Sequence, residues 1–347
     1  MKQENTNTNI EEVFKKWMNI HGTKMETLIN ASEKLELIII AGSGVSKSAV
    51  RKKIPAEVVC WSSWKELLEN AFKFVEVYKG DDNFHYFQDD GNLVKKYIEN
   101  GHYLRAASFI GKMFGDKPPY SGFKDWIMQN ATVNDLSNYN VRQQKLLIEL
   151  SKERMLITTN YDNLFELTLD KYFKKIKYQV YTNVEVMKMI NNIKKTDQFQ
   201  LFKAHGSNDT KDVNAIIVDQ EDYSKLIYQN PSYILFMQSI FLHYTVLFVG
   251  FSLDDPDFRH TLSILGATIG FERSMDYALL YDCECRTKSE IKILEQQYCI
   301  KCIPITTDDL CSKIDQNNTL DHLKTELQIR ILEELVKNKS KISKQKK

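Results

Sequence analysis

Four short polar motifs each follow an apolar run, and their residue types suit a nucleotide site. Asn160 and Asp162 come just after Arg154 to Thr159 (RMLITT), and His205 ends Gln200 to His205 (QLFKAH). An amide and a carboxylate can hold a sugar hydroxyl or aim a water, and a histidine, which titrates near neutral pH, can act as a base beside them. Two glycine-bearing turns accompany them. Gly42-Ser43-Gly44-Val45-Ser46 follows the Ile-rich run Leu35 to Ile40, and Phe251-Ser252-Leu253-Asp254-Asp255 follows Val246 to Gly250. Glycine lets the backbone approach a pyrophosphate and aim N–H groups at it, and Gly250 with the Ser252 hydroxyl suits a ribose or phosphate contact. Taken singly, each motif has a plain alternative: a tight strand-to-helix turn at 42–46, an Asx-type helix cap at Asn160 or Asp162, a structural histidine at 205. Neither G-x-G-x-x-G nor G-x-x-x-x-G-K-[ST] occurs.

The elements that must position these residues are legible as well. The runs ahead of the motifs are of strand length and do not alternate, as expected of strands buried on both faces of a parallel sheet. YQVYT, YALLY and CIPI add further strands, with helices between them, one opening near Pro256 and one spanning about Thr287 to Gln297. Trp64 to Leu150 reads as a helical insertion broken at Lys117-Pro118-Pro119. This alternation predicts an α/β fold with a Rossmann-like, doubly wound, mostly parallel sheet, in which the carboxyl ends of the strands share one edge. All four motifs then meet there. Amphipathic helices flank this core: Ile10, Val13, Phe14 and Trp17 form one stripe and Leu320, Leu323, Leu327 and Ile331 another. The expected organisation is an N-terminal helical extension over 1–30, a catalytic domain over 31–315 with its insertion at about 64–150, and a C-terminal helix with a Lys-rich tail over 316–347.

In order and spacing, AGSGVS (41–46), TTNYD (158–162), KAHGS (203–207) and GFSLDD (250–255) resemble the sirtuin-like domain of bacterial NAD+-consuming, anti-phage defence proteins. They match the glycine motif, the T-x-N-x-D motif, the His-Gly pair and the later Gly-x-Ser, across about Leu35 to Ile305. The resemblance implies that NAD+ is the substrate. It also implies that Gly42, Ser43, Gly44 and Ser46 cradle the pyrophosphate and adjoining ribose, with Thr159 among the binding residues. Asn160 would contact the nicotinamide ribose and place a water, Asp162 would hydrogen-bond the carboxamide, and His205 would act as base. Gly250 and Ser252 would hold the adenosine side, with Asp282 after YALLY.

One departure from the family bears on the reaction. Deacylating sirtuins carry two C-x-x-C pairs soon after His-Gly as a structural zinc module, and nothing of that kind follows His205. Cys283-x-Cys285 and Cys299-x-x-Cys302 could be read as a zinc set, but a strand at 299–302 would turn its two thiols to opposite faces. No metal is expected. The usual arginine after the glycine loop is not evident either. Without the zinc module the acceptor shifts from acyl-lysine to water, and the products expected are ADP-ribose and nicotinamide. A protein deacylase, an ADP-ribosyltransferase, or a non-catalytic NAD+ or ADP-ribose sensor gating a partner remain the alternatives.

Composition narrows the classes. The 347 residues carry 47 basic and 46 acidic side chains, a balance that argues against direct nucleic-acid binding. The polar N-terminus lacks an apolar leader, no apolar run reaches membrane length, and six scattered cysteines suggest a reducing compartment, so a cytoplasmic protein is expected. Unchecked NAD+ hydrolysis is lethal, and no second, sensing domain is recognisable here. Control by assembly follows as an expectation: a homo-oligomer, or a separate HerA-type ATPase, the DNA-translocase partner that the resemblance implies.

Overall fold

The computed structural model describes residues 2–34, 36–49, 63–78, 88–114, 121–192, 198–269, 276–280, 288–305 and 317–345. Strands β1 (Leu37–Ala41), β2 (Met155–Thr158), β3 (Tyr178–Thr182), β4 (Phe199–Lys203), β5 (Thr245–Val249), β6 (Asp276–Leu280) and β7 (Ile300–Pro304) form one sheet. Their order is β3-β4-β2-β1-β5-β6-β7, and every neighbouring pair is parallel. β2, β4 and β3 lie on one side of β1, and the chain then crosses to its other side with β5. That reversal makes a crevice beyond the strands' carboxyl ends, where open α/β sheets bind ligands.

The register sharpens this. Ala41 pairs with Thr158 and with Val249, and Thr158 pairs with Lys203, so four adjacent strands reach the same row. Each of the four sequence motifs starts on that row or one residue past it.

Alternate residues of β1 serve two cores. Leu37, Ile39 and Ala41 join the cluster beneath α1 (Lys2–Glu33), α7 (Arg142–Ser151), α8 (Leu164–Tyr172) and α14 (Asn317–Gln345). The other β1 side chains, Ile38 and Ile40, join the cluster beneath α9 (Val186–Asn192), α10 (Gln220–Tyr228), α11 (Pro231–His243), α12 (Pro256–Ile269) and α13 (Lys288–Tyr298). Helices cover both faces, which is why the strands read as unbroken apolar runs. Local signals set the helix starts: Asp219 and Asp222 make a capping box at α10, and Asn230 caps α11 with Pro231 in its first turn. The short α2 (Ser43–Ala49) follows β1 directly.

The insertion supplies α3 (Trp64–Val77), α4 (Gln88–Glu99), α5 (Tyr103–Met113) and α6 (Phe123–Asn130). Their shared core also takes in Tyr161, Ile216 and Val218 from the loops after β2 and β4. It therefore sits over the carboxyl edge of the sheet.

The apolar stripes of the terminal helices are spent inside the chain. Ile10, Val13, Phe14 and Trp17 pack with Leu323, Leu327 and Ile331 in one core, and Arg330 holds Glu11 (2.7 Å) and lies over the Phe14 ring. α1 also seals the outer edge of β7: Trp17 Nε1 donates to Pro304 O (3.0 Å) and Lys24 Nζ to Cys302 O (2.9 Å). An edge strand with bare carbonyls is a template for unwanted pairing, and this one is covered. No helix among the described residues is long and apolar enough to cross a membrane.

Candidate active site

Asn160, two residues past β2, is held at every donor. Its backbone N–H donates to Thr158 Oγ1 (3.1 Å), and its side-chain nitrogen donates to Gly42 O (3.1 Å) and Ser46 Oγ (2.8 Å). Nothing among the described residues donates to its Oδ1, so the side chain offers one oriented acceptor. The Ser46 hydroxyl donates to Asp162 Oδ2 (2.7 Å), and Asp162 Oδ1 accepts the Leu164 N–H (3.0 Å), an Asx-type turn that opens α8. Burial pushes the Asp162 carboxyl up, opposed by the Lys203 ammonium and the Ser46 hydroxyl. With both oxygens committed, Asp162 fixes Ser46, and Ser46 fixes Asn160.

Lys203, the last residue of β4, is wholly buried. Its Nζ donates to Tyr161 O (3.1 Å), Asp162 O (2.6 Å) and Glu166 Oε1 (2.9 Å). One ammonium thus clamps the backbone just after Asn160. Burial raises the Glu166 carboxyl, and Lys203 opposes the rise.

The two glycine turns serve each other. Gly42 N donates to Val249 O (3.0 Å) and Gly44 N to Gly250 O (2.9 Å). A Cβ on Gly42 would stand 2.4 Å from Gly250 O, and one on Gly250, at φ +61°, would stand 2.6 Å from Val45 N. Close loop-to-loop approach accounts for these glycines. The N–H groups of Gly42 and Gly44, read from sequence as phosphate donors, are taken up by β5 and its turn.

His205, 2% exposed, lies between two carboxylates. Its Nε2 is 3.3 Å from Asp257 Oδ2 and its Nδ1 is 3.9 Å from Asp255 Oδ1. Tyr223 Oη donates to Asp255 Oδ1 (2.8 Å), and Tyr233 Oη donates to Asp257 Oδ2. The Tyr223 ring meets the imidazole edge-on at 5.3 Å. Burial disfavours the charged imidazole, but Asp257 and Asp255 outweigh it, so the His205 pKa is raised. Asp255 is pushed up to about 6 by burial, and by Asp257 and Asp254, against the pull of His205 and Tyr223. The ligand atoms of His205, Asp255 and Asp257 lie within 4.8 Å of one another, close enough to share a divalent cation.

These features border an open cleft at the carboxyl edge of the sheet. The sheet edge contributes Gly42, Ser43, Thr159, Asn160, Gly250 and Ser252, and α12's leading turn contributes Asp255. Trp64 and Leu67 of α3 close the other side with Ser63 and Val218.

Residues 154–303 match the family model of the SIR2-like domain. That stretch, somewhat under half of the chain, is similar to SIR2-like domains. The chain is 35% identical over 112 residues to the NAD(+) hydrolase ThsA of Enterococcus faecium, covering 30% of this chain and 21% of that protein. To the NAD(+) hydrolase ThsA of Bacillus cereus (strain MSX-D12) it is 29% identical over 125 residues, covering 35% of this chain and 24% of that protein. The matches thus span less than a quarter of either relative.

The matched stretch runs from β2 to β7 and holds Asn160, His205 and Asp255. The glycine turn after β1 and the α3 wall lie outside it. Of the residues singled out in the sequence, Gly42, Ser43, Thr159, Asn160, Gly250 and Ser252 line the cleft. Gly44, Ser46, Asp162 and His205 do not line it. Asp282, with Cys283 and Cys285, lies outside the described residues. Cys299 ends α13 in a left-handed conformation (φ +53°), and Cys302 packs into the core beneath α10–α13.

Sequence reasoning missed Asp255, Asp257, Tyr223, Lys203 and the wall role of Trp64. Two signals were available. Asp254-Asp255-Pro256-Asp257 crowds three carboxylates where one helix cap would do, and Lys203 interrupts an otherwise apolar buried strand.

Proposed function

We propose that this protein is an NAD+ hydrolase that cleaves the nicotinamide–ribose bond, giving ADP-ribose and nicotinamide. The observation that carries the reading is the cleft itself. An oriented acceptor on Asn160 faces it from one strand end, and Asp255, backed by His205, faces it from another. The names of the matched relatives support NAD+ as the substrate. Expelling nicotinamide leaves an oxocarbenium-like ribose, which needs a held sugar, little bulk water and one aligned acceptor rather than a strong nucleophile. Asn160 Oδ1 is the group to aim that water, and the His205–carboxylate chain is the acid–base end of the site. Ser43, Thr159, Gly250 and Ser252 would hold the rest of the nucleotide.

No metal enters this scheme, because Asn160 and the carboxylate–imidazole chain supply every group it uses. Depletion of NAD+ in anti-phage defence is the setting the resemblance implies, with control through self-association or a HerA-type ATPase. Nicotinamide release from NAD+, followed by chromatography on the full chain alone and with such a partner, tests the reading. Asn160→Ala should lower the rate at least about 10²-fold, and EDTA should leave the wild-type rate unchanged. NAD+ that stays intact in every assembly state would refute the hydrolase, and loss of activity in EDTA would refute the metal-free scheme.

A further inference from the structure

Asn160 and His205 can act on one ribose only at a fixed separation, yet they stand past different strands, β2 and β4. One buried side chain joins the two. Lys203 pairs with Thr158 in the sheet, and its backbone leads through Ala204 to His205. Its Nζ reaches the turn after β2, where it donates to Tyr161 O (3.1 Å) and Asp162 O (2.6 Å). Tyr161 closes the link from the other loop. Its carbonyl also accepts the Asn208 N–H (2.9 Å), its hydroxyl donates to Ile217 O (2.6 Å), and Ile217 N donates to His205 O (3.0 Å). A methionine would suit the surroundings of β4, where Phe199, Leu201 and Phe202 are buried, without the cost of desolvating an ammonium. Glu166 of α8 takes the remaining donor (2.9 Å) and balances the charge. What the lysine adds is its hold on two carbonyls.

We propose that Lys203 is a positioning residue that sets the separation of Asn160 from His205, with Tyr161 as the strut between their loops. The inference rests on the NAD+-hydrolase reading. Lys203 does not line the cleft, so it acts through the turn it holds. Misplacing a reacting group by about 1 Å costs about 10²-fold in rate. Binding of the dinucleotide is spread over Ser43, Gly250, Ser252 and the α3 wall, none of which Lys203 touches. Removing the clamp therefore lowers kcat and leaves KM nearly unchanged.

A lysine that only stabilised the fold would behave differently, and its pairing with Glu166 separates the two roles. Lys203→Met alone strands the Glu166 carboxylate. Replacing both members of a buried ion pair with apolar residues removes the stranded charge and often restores stability. The test is nicotinamide release by the full chain, with kcat and KM measured separately and urea unfolding alongside. It compares Lys203→Met with a variant that combines Lys203→Met and Glu166→Met. The combined variant should unfold at higher urea than Lys203→Met does. It should nevertheless keep a kcat about 10²-fold below wild type, with KM within about threefold.

A folded combined variant with kcat within about tenfold of wild type, or with its loss in KM, makes Lys203 a stabilising residue only and overturns the assignment. Should neither variant fold by circular dichroism, Tyr161→Phe decides, because it removes only the hydroxyl of the strut. It should lower kcat at least about fivefold, and a smaller loss overturns the proposal. A wild-type chain that leaves NAD+ intact removes the hydrolase and the positioning role together, whereas an active wild type with an equally active combined variant removes the positioning role alone.

Discussion

A buried lysine is costly unless every donor is used, and Lys203 uses its donors on the turn that carries Asn160. Lys203→Met would leave Glu166 without its cation and two carbonyls without their donor. Breaking a buried pair from one side costs about 3–5 kcal/mol, so Lys203→Met should lower the unfolding free energy by that order in urea titration. A loss under 1 kcal/mol would mean that the clamp contributes little. The Asn160–Asp162 and His205 motifs stood out because polar residues that end apolar strands of one parallel sheet are brought to the same edge. The acid–base chain did not, because Tyr223, Tyr233 and Asp257 come from α10, α11 and α12, and their convergence on one imidazole depends on packing that spacing along the chain does not encode. The same holds for Asp162: the family resemblance implied a ligand-facing role, whereas its oxygens are committed to Ser46 and Leu164 N.

At the scale of elements, the insertion builds the far wall of the cleft. Trp64 of α3 lies in that wall with Tyr103 and Tyr223 near its ring, at centroid distances of 6.5 and 6.3 Å. A large aromatic there adds binding area and excludes water without touching the sheet edge. Trp64→Ala should therefore raise KM for NAD+ by about tenfold, the effect of losing roughly 1.4 kcal/mol of binding, with a smaller change in kcat. A loss confined to kcat would instead place Trp64 among the reacting groups. The strands were read within a residue or two of their observed ends, since unbroken apolar runs between turn signals leave little freedom. The insertion was read as helical, but its position over the site was not, because Tyr161, Ile216 and Val218 join its core from loops whose sequences carry no such instruction.

Across the whole molecule, α1 and α14 hold the two ends of the described chain side by side against the sheet. Trp17, Leu327 and Ile331 are buried within the chain, so a homo-oligomer would have to use other surfaces. A chain lacking residues 1–33 would bare both that apolar face and the β7 edge. It should aggregate or melt well below the full chain in light scattering and calorimetry, and a monodisperse product of unchanged Tm would show the seal to be dispensable. The same seal has a consequence during synthesis. Trp17 meets Pro304 across 287 residues, and at roughly 5–20 residues per second a ribosome needs about 15–60 s to make that stretch. Throughout that interval the greasy side of α1 has no mate, which makes the nascent protein a natural client for a chaperone, and the fold can close only once its last strand and helix have left the exit tunnel.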